Sequence, residues 1–420
     1  MAYACKHKPL VLVALFLALF SFAINPAHAW GKKAKKPSER AILHNNKGVT
    51  ALYQGDTERA IFEFKTATEL NPKYVEAWSN LGLAYKQKGR LEDAIPVLEE
   101  AIKLDRKFPA PYNVLGTVYF SQKKYKDALR YFNKALRYNS KYSDAHYNSG
   151  LVYFEQYQRS KDKSLLEDAV QSFTEATKIN SEHQYAHLKL ANVYQELKDY
   201  EKAIIRYKLA LEIDPNLTNA WNNLAELYTK TGQTVKAQQA LNHALTSDPD
   251  SSEAHLNMGL NYLKDNNIKM AIKEFNAVIL ENPTNELAYF NTGFAFYKMA
   301  MQAKEQGDSS KMNSALEQSN KAYLSAYKLR PNYPEAIYNI GYNYQLLKNY
   351  SEAATWYAKA TQIDKTFAKA FYSLGSVQQI LKNNQKAAEA YCAFVDLKPE
   401  NMDSDVKTAK DLIKNLGGCP

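Results

Sequence analysis

Apolar, aromatic and small residues recur along the chain with a period of 34 residues between residues 41 and 401. Positions are counted from the start of each unit, inserted residues left out, and positions 4, 7, 8 and 11 carry most of this pattern. That spacing marks one face of a helix. Small residues return at positions 20 and 27, and in six units a proline follows, where a helix has to stop. Each unit therefore predicts a helix, a tight turn and a second helix.

Ten such units, numbered repeats 1 to 10, account for residues 41–401. They begin at Ala41, Val75, Pro109, Ser143, Gln184, Thr218, Ser252, Glu286, Pro334 and Ala368. Residues 402–420 predict a capping helix and tail, with Ser404 as the cap and Val406, Ala409, Ile413 and Leu416 on one face. The sequence thus predicts a repetitive, all-helical chain.

Position 8 is glycine in eight units and alanine in two. A glycine inside a helix costs roughly 1 kcal/mol relative to alanine, so its recurrence needs a structural reason. Close approach of the two helices of a unit provides one. We therefore expect the second helix of each repeat to pack directly against position 8 of the first.

The pattern resembles the tetratricopeptide repeat family, whose W-x-x-L-G-x-x-Y signature is matched by Trp78, Leu81, Gly82 and Tyr85. The resemblance implies an all-α, right-handed superhelix (α-solenoid) of about ten helix-turn-helix repeats, with first helices lining a concave face. It also implies a role in binding other proteins. The signature weakens in the first and last repeats, as is typical of terminal units.

Two repeats carry insertions. Seven extra residues in repeat 4 include Ser164 and Glu167 in capping-box spacing, which predicts that the second helix starts one turn early. Fourteen extra residues in repeat 8 are enough to lengthen both helices by two turns each. This longer hairpin is either a docking prong for a partner or a neutral insertion.

Residues 1–29 predict a cleaved signal peptide: Lys6 and Lys8 precede an apolar run of 15 residues that ends before a small-x-small site at Ala29. An uncleaved membrane anchor is the alternative, although 15 residues are short of the ~20 that a spanning helix needs. We expect a bacterial protein exported to the periplasm or secreted, without a transmembrane span after cleavage.

The formal net charge is +10, and the predicted mature chain keeps about +8. Much of the excess lies in residues 30–40, which predict a basic flexible arm. Export argues against nucleic acid as the partner. We instead expect an electrostatic partner that is either an acidic protein or an anionic envelope surface bound through residues 30–40. A solvated spacer is the simpler interpretation.

Two sets of residues are candidates for peptide binding on the concave face. The first is an asparagine ladder at position 6, similar to that of O-linked N-acetylglucosamine transferases. An Asn side chain can donate hydrogen bonds to a peptide backbone and accept them from it, whatever the peptide sequence. Local hydrogen bonding is the alternative role. The second set is aromatic, and aromatic residues are good anchors unless they pack between repeats. The candidates are Asn46, Asn80, Asn148, Asn223, Asn257, Asn291 and Asn339, with Phe290, Phe294, Tyr338 and Tyr342.

The sequence contains no catalytic or phosphate-binding motif, and we expect neither an enzyme nor a cofactor or metal site. Four histidines occupy position 4, where other repeats carry tryptophan, so packing explains them. Cys392 and Cys419 could form a disulfide that clamps the C-terminal cap; two free thiols are the alternative.

Two hypotheses for function follow. The first is a non-enzymatic scaffold that binds an extended peptide or partner segment in its groove, in cell-envelope assembly or secretion. The second is an envelope-associated spacer that binds an anionic polymer or membrane surface through its basic arm.

Overall fold

The computed structural model describes residues 37–419, which form 21 α-helices and no strand. The first ten helices are α1 Glu39–Tyr53, α2 Thr57–Leu70, α3 Val75–Gln87, α4 Leu91–Leu104, α5 Pro109–Ser121, α6 Tyr125–Tyr138, α7 Ser143–Ser160, α8 Ser164–Ile179, α9 Gln184–Glu196 and α10 Tyr200–Ile213. The others are α11 Thr218–Lys230, α12 Thr234–Ser247, α13 Ser252–Lys264, α14 Ile268–Glu281, α15 Glu286–Glu305, α16 Ser309–Leu329, α17 Pro334–Leu346, α18 Tyr350–Ile363, α19 Ala368–Ile380, α20 Asn384–Asp396 and α21 Asp403–Asn415.

The helices form ten hairpins followed by one further helix, which confirms the predicted all-α repeat fold. The chain divides into two compact units, one ending at Ala220 and the other beginning at Trp221. Within each unit, the odd-numbered helices up to α19 are the first helices of repeats, and second helices pack against the first helix of the repeat that follows.

The position-8 glycines are required by close packing against the side chain at position 24 of the same repeat. A Cβ atom built on any of them would lie less than 3 Å from that side chain, a distance that real Cβ atoms do not adopt. The position-24 residues are Phe64, Leu98, Phe132, Phe173, Phe275, Tyr323, Tyr357 and Tyr391, and each is almost completely buried. The glycines therefore let a large side chain fill the space between the two helices.

Position 4 has a second structural role, which explains why tryptophan, tyrosine and histidine alternate there. In five repeats the ring contacts the carbonyl oxygen of the residue six places earlier, in the turn before the helix. The bonds are Trp78 Nε1 to Pro72 O (2.9 Å), Tyr112 Oη to Arg106 O (3.0 Å), His146 Nε2 to Ser140 O (3.0 Å), His187 Nε2 to Ser181 O (3.1 Å) and His255 Nε2 to Pro249 O (3.0 Å). These three histidines therefore stabilise the turns between repeats by hydrogen bonds to backbone carbonyl groups.

The insertion in repeat 4 lengthens mainly the first helix, contrary to prediction. Helix α7 has 18 residues and α8 has 16, compared with 13 and 14 in repeat 2. Ser164 is the first residue of α8, and its hydroxyl donates to Asp162 instead of capping the helix. The added turn of α7 places Tyr157 against repeat 5, where its hydroxyl donates to Glu196 (2.8 Å).

The insertion in repeat 8 lengthens both helices, as predicted: α15 has 20 residues and α16 has 21. The added turns bury Ala300, Ala315 and Leu316 and pack against Leu346 and Leu347 at the end of α17. Both insertions therefore brace the repeat that follows them.

The two termini differ in part from the predictions. Ser38 caps α1, which begins at Glu39, so the arm predicted for residues 30–40 does not extend to Arg40. Residues 30–36 and the predicted signal peptide, 1–29, lie outside the described residues. At the other end α21 begins at Asp403 after Met402, and Ser404 lies inside its first turn rather than at the cap.

Helix α21 covers the end of repeat 10, and its own Ala409 is fully buried in the contact. Cys392 in α20 and Cys419 after α21 form a disulfide with their Cα atoms 6.0 Å apart. The tail reaches Cys392 because Gly417 and Gly418 adopt φ of 98° and 94°, conformations that glycine enters without steric cost.

Candidate functional site

The first helices of consecutive repeats lie side by side and share hydrogen bonds between residues 35 apart. Asn80 Nδ2 donates to Asn45 Oδ1 (2.9 Å), and Asn148 Nδ2 donates to Asn113 Oδ1 (3.0 Å). Position 6 of one repeat therefore faces position 5 of the repeat before it. We call the surface formed by positions 5, 6, 9, 12 and 13 of these helices, within either unit, the first-helix surface.

The seven predicted ladder asparagines fall into two classes. Asn80 and Asn148 are tied to the preceding repeat, and Asn339 bonds to the hydroxyl of Tyr323, where it opposes the rise in pKa that burial causes. The side chains of the others make no hydrogen bond within residues 37–419; they are Asn46, Asn223, Asn257 and Asn291. Three of the seven asparagines therefore stabilise the fold, and the side-chain amides of the other four are free to bind a partner.

The residue at position 5 of the preceding repeat explains part of this division. Asn80 and Asn148 meet the amide oxygens of Asn45 and Asn113. Asn291, in contrast, follows a repeat with Leu256 at position 5, which offers no acceptor. An apolar residue at position 5 therefore leaves Asn223, after Leu188, and Asn291 without an acceptor, whereas the free amide of Asn257 follows a polar residue, Asn222.

Four aromatic residues form a continuous row on the first-helix surface of repeats 8 and 9, which we call the aromatic row. Ring centroids are separated by 6.2 Å from Phe294 to Tyr297, 5.9 Å from Tyr297 to Tyr342 and 6.3 Å from Tyr342 to Tyr338. Phe294 is 39% exposed, and the three tyrosines are half-buried. The row therefore offers apolar area that a partner can still cover.

Tyr297 belongs to this row, although it is not one of the four aromatic candidates given above. Burial, and then the neighbouring Tyr342, raises the pKa of Tyr297 to about 12, so its hydroxyl is protonated at neutral pH and can donate a hydrogen bond. The signal that could have identified it is its place three residues after Phe294, since residues at i and i+3 share a helix face.

Phe290 is not an open anchor. Its ring lies 5.4 Å from that of Tyr323 and 4.9 Å from that of Tyr333, centroid to centroid, so it packs against the second helix of its own repeat and the turn before α17. Tyr338 is similarly engaged: its ring contacts Phe367 at 5.2 Å, and its hydroxyl lies 3.3 Å from Ser373 Oγ. Of the four aromatic candidates, Phe294 and Tyr342 are the ones placed to contact a partner.

Further apolar side chains continue the aromatic row into repeat 7. Leu260 occupies the same position as Phe294 one repeat earlier and is 40% exposed. At one edge of this surface two lysines donate to helix carbonyls, Lys264 to Thr229 O (2.8 Å) and Lys298 to Leu263 O (3.2 Å). The surface of repeats 7 to 9 thus combines apolar area, free amides and cationic groups.

Residues 37–419 contain no group of histidine, cysteine or acidic residues arranged to hold a metal ion. Over the same residues, no helix combines the length and the apolar character that crossing a membrane requires.

Comparisons with known proteins agree with the repeat architecture. Tetratricopeptide repeat family models match residues 45–109, 161–217, 198–256, 334–367 and 368–401, and a TPR repeat model matches residues 116–156. No curated protein shows significant sequence similarity to the chain.

Several solved structures are similar over part or most of the chain. YrrB, described as a TPR protein with an unusual peptide-binding site, is 23% identical over 46% of this chain and 95% of its own, with a TM-score of 0.40. PilF of Pseudomonas aeruginosa is 19% identical over 52% of this chain and 97% of its own, with a TM-score of 0.45. A monomeric mutant of IFIT1 with Gppp-AAAA is 17% identical over 91% of this chain and 92% of its own, with a TM-score of 0.45.

Taken together, the family matches extend over more than half of the chain, in both units. Repeats of this kind generally serve as scaffolds for protein interactions, and that general role applies here. The chain belongs to the tetratricopeptide repeat family.

Proposed function

We propose that the chain is a scaffold that binds an extended, apolar peptide segment on the first-helix surface of repeats 7 to 9. The observation that carries the proposal is the aromatic row, with Phe294 39% exposed, beside amides that have no partner of their own. Rigid aromatic side chains in well-packed surroundings are the residues that most often dominate binding energy.

An extended peptide suits this surface because the N–H and C=O groups of its backbone make no hydrogen bonds within the peptide and are free to bond to the asparagines. Asn257 and Asn291 lie at the same position of adjacent repeats, and each can donate to a peptide carbonyl and accept from a peptide N–H. Apolar side chains of the peptide would cover Leu260 and Phe294. Backbone contacts give affinity with little dependence on sequence, and the apolar contacts select the peptide.

The first test is a binding experiment with peptides selected from a displayed random library against the purified chain. We expect Phe294→Ala to weaken the selected peptides about tenfold, equivalent to about 1.4 kcal/mol. Asn291→Ala should weaken them several-fold. Matched controls are Phe62→Ala and Asn242→Ala, which change exposed residues of second helices and should leave affinity unchanged. Equal affinities for all four variants would refute the proposal.

We further propose that the protein acts in the bacterial cell envelope, in assembly or secretion, after export directed by residues 1–29. The support is the charged start, apolar run and small-x-small ending of this segment. Fractionation of cells that express the full chain, with N-terminal sequencing of the product, tests this. A product that keeps residues 1–29 would contradict it.

The rival proposal, attachment to an anionic polymer or membrane through residues 30–40, is supported by four lysines within residues 32–36. Salt separates the two proposals, since exposed charges are screened within about 8 Å at physiological ionic strength. Attachment through the arm should weaken steeply as salt rises, whereas apolar contacts at Phe294 should persist. Deletion of residues 30–36 should abolish envelope retention only if the rival is correct.

A further inference from the structure

The connection between α20 and α21, residues 397–402, has a backbone unlike any other connection that follows a second helix. Lys398 and Asn401 adopt φ of 46° and 60°, in the left-handed region that L-residues enter at a cost. The other non-glycine residues with positive φ in the described part of the chain all lie in turns inside repeats: Lys123, Lys161, Lys198, Asn266, Lys348 and Lys382. We call residues 397–402 the hinge.

The hinge connects repeat 10 to a helix that covers a large apolar face. Helix α21 lays Val406, Leu412, Ile413 and Leu416 over the rings of repeat 10, and this cluster includes Phe371, Tyr372, Tyr391 and Phe394. Tyr391 and Phe394 are at most 1% exposed. If α21 dissociated, this apolar face would be exposed to solvent. Helix α21 of a second copy has the same sequence and would pack on the face equally well.

The disulfide fixes α21 at its far end. The hinge ties the start of the helix to α20, and the bond from Cys419 to Cys392 ties the tail to α20 as well. A helix held at both ends cannot leave its own repeat 10. Exchange between copies is therefore blocked for as long as this bond is intact.

We propose that the end of repeat 10 is a self-association surface whose partner is α21 of a second copy of this chain, and that the disulfide controls the exchange. A dithiol supplies two electrons and two protons, which convert the Cys392–Cys419 bond into two thiols, while the dithiol becomes a cyclic disulfide. Helix α21 then moves out on the hinge and packs on repeat 10 of the second copy. Helix α21 of the second copy packs on repeat 10 of the first.

The balance between closed monomer and exchanged dimer depends on the hinge. Both forms bury the same apolar contacts, so exchange loses no packing of α21. Opening the hinge releases Lys398 and Asn401 from the left-handed region, and strained short hinges favour exchange of this kind. The side chains of both residues are exposed, so opening them uncovers no core. This inference does not depend on the proposed peptide-binding surface.

Disulfide trapping tests the exchange directly. With Cys5 replaced by serine throughout, chains carrying Cys392→Ser and chains carrying Cys419→Ser are purified, mixed under a dithiol, and then oxidised. Exchange brings Cys419 of one chain to Cys392 of the other, so the mixture should contain several-fold more covalent dimer than either chain alone. No excess in the mixture would overturn the proposal.

The hinge gives a second, independent measurement. Light scattering of the otherwise unchanged chain should report one chain's mass when oxidised and a concentration-dependent rise towards two chains under a dithiol. The double change Lys398→Gly and Asn401→Gly relieves the strain in the closed form and should reduce the dimer fraction. Lys382→Gly, a residue with φ of 61° in a turn inside repeat 10, is the matched control and should leave it unchanged. A monomer under the dithiol, or equal effects of the two glycine variants, would show the inference to be wrong.

Discussion

A Cβ atom at Gly150 would lie 2.7 Å from the ring of Phe173, so the two residues determine each other's size. Gly150 lies in α7 and Phe173 in α8, and the ring is fully buried between the helices. The same relationship recurs wherever position 8 is glycine, and it explains why the cost of a mid-helix glycine is tolerated so often.

Gly150→Ala should destabilise the chain by about 1–2 kcal/mol, because the strain of overpacking exceeds the roughly 1 kcal/mol that alanine gains in helix propensity. Repeat 6 combines Ala225 with Leu241 at the same two positions, so adding Phe173→Leu should recover part of the loss. Chemical denaturation followed by circular dichroism measures both. A single variant as stable as the parent would contradict the packing argument.

Trp78 tests the hydrogen bond at position 4. Trp78→Phe removes the Nε1–H that donates to Pro72 O and should cost about 1 kcal/mol beyond the loss of ring area. Trp78→His should cost less than its smaller ring suggests, because His146, His187 and His255 make the same bond in other repeats. The comparison is made by denaturation midpoints, and a histidine variant less stable than the phenylalanine variant would count against this role.

Asn148 and Asn291 occupy the same position of different repeats but should respond differently to alanine. Asn148→Ala removes a buried bond and leaves Asn113 Oδ1 without its donor, which should cost about 1–3 kcal/mol. Asn291→Ala removes no bond and should change stability by less than about 0.5 kcal/mol. Thermal unfolding of the two variants decides between them, and equal losses would mean that Asn291 is also structural.

The period of the sequence predicts the helical hairpins because each repeat fills its interior with its own residues, such as Gly82 and Leu98. The candidate site is harder to predict, because its residues depend on a neighbour outside their repeat. Asn148 and Asn291 look alike in sequence, yet Asn113 engages one and Leu256 leaves the other free.

Aromatic anchors pose the same difficulty. Phe290 and Phe294 are one helical turn apart, but the ring of Tyr333, in the turn before α17, covers only Phe290. Local rules also fail where tertiary contacts prevail. Ser164 and Glu167 have capping-box spacing, but the packing of Tyr157 against repeat 5 draws the inserted residues into the first helix instead.

The buried side chains of Asp144 and His183 lie with Oδ1 of one 3.7 Å from Nε2 of the other. Nδ1 of His183 accepts from the backbone N–H of Ala186, so the neutral ring carries its proton on Nε2, towards Asp144. Tyr147 packs on this ring at 4.7 Å. Burial lowers the pKa of His183 to about 4, with a further contribution from His187, and burial raises the pKa of Asp144 to about 6.

The two shifts have opposite effects on stability. Between about pH 6.5 and 4 the unfolded state takes up a proton at His183 before the folded state does, so that contribution to stability is lost as the pH falls. Over nearly the same range the folded state holds a proton on Asp144 that the unfolded state has released, so that contribution grows as the pH falls. The pair should therefore change stability little between pH 4 and 6.5.

Replacing one of the two residues should expose the pH dependence of stability that the other contributes. Relative to the parent, Asp144→Asn should lose about 2 kcal/mol of unfolding free energy as the pH falls from 6.5 to 4. His183→Asn should gain stability over the same range, and it should keep the helix cap, since Asn285 accepts from Ala288 N in the same way in repeat 8. Denaturant titrations at several pH values measure both slopes. Parallel curves for the three proteins would show that neither group titrates with the shifted pKa given above.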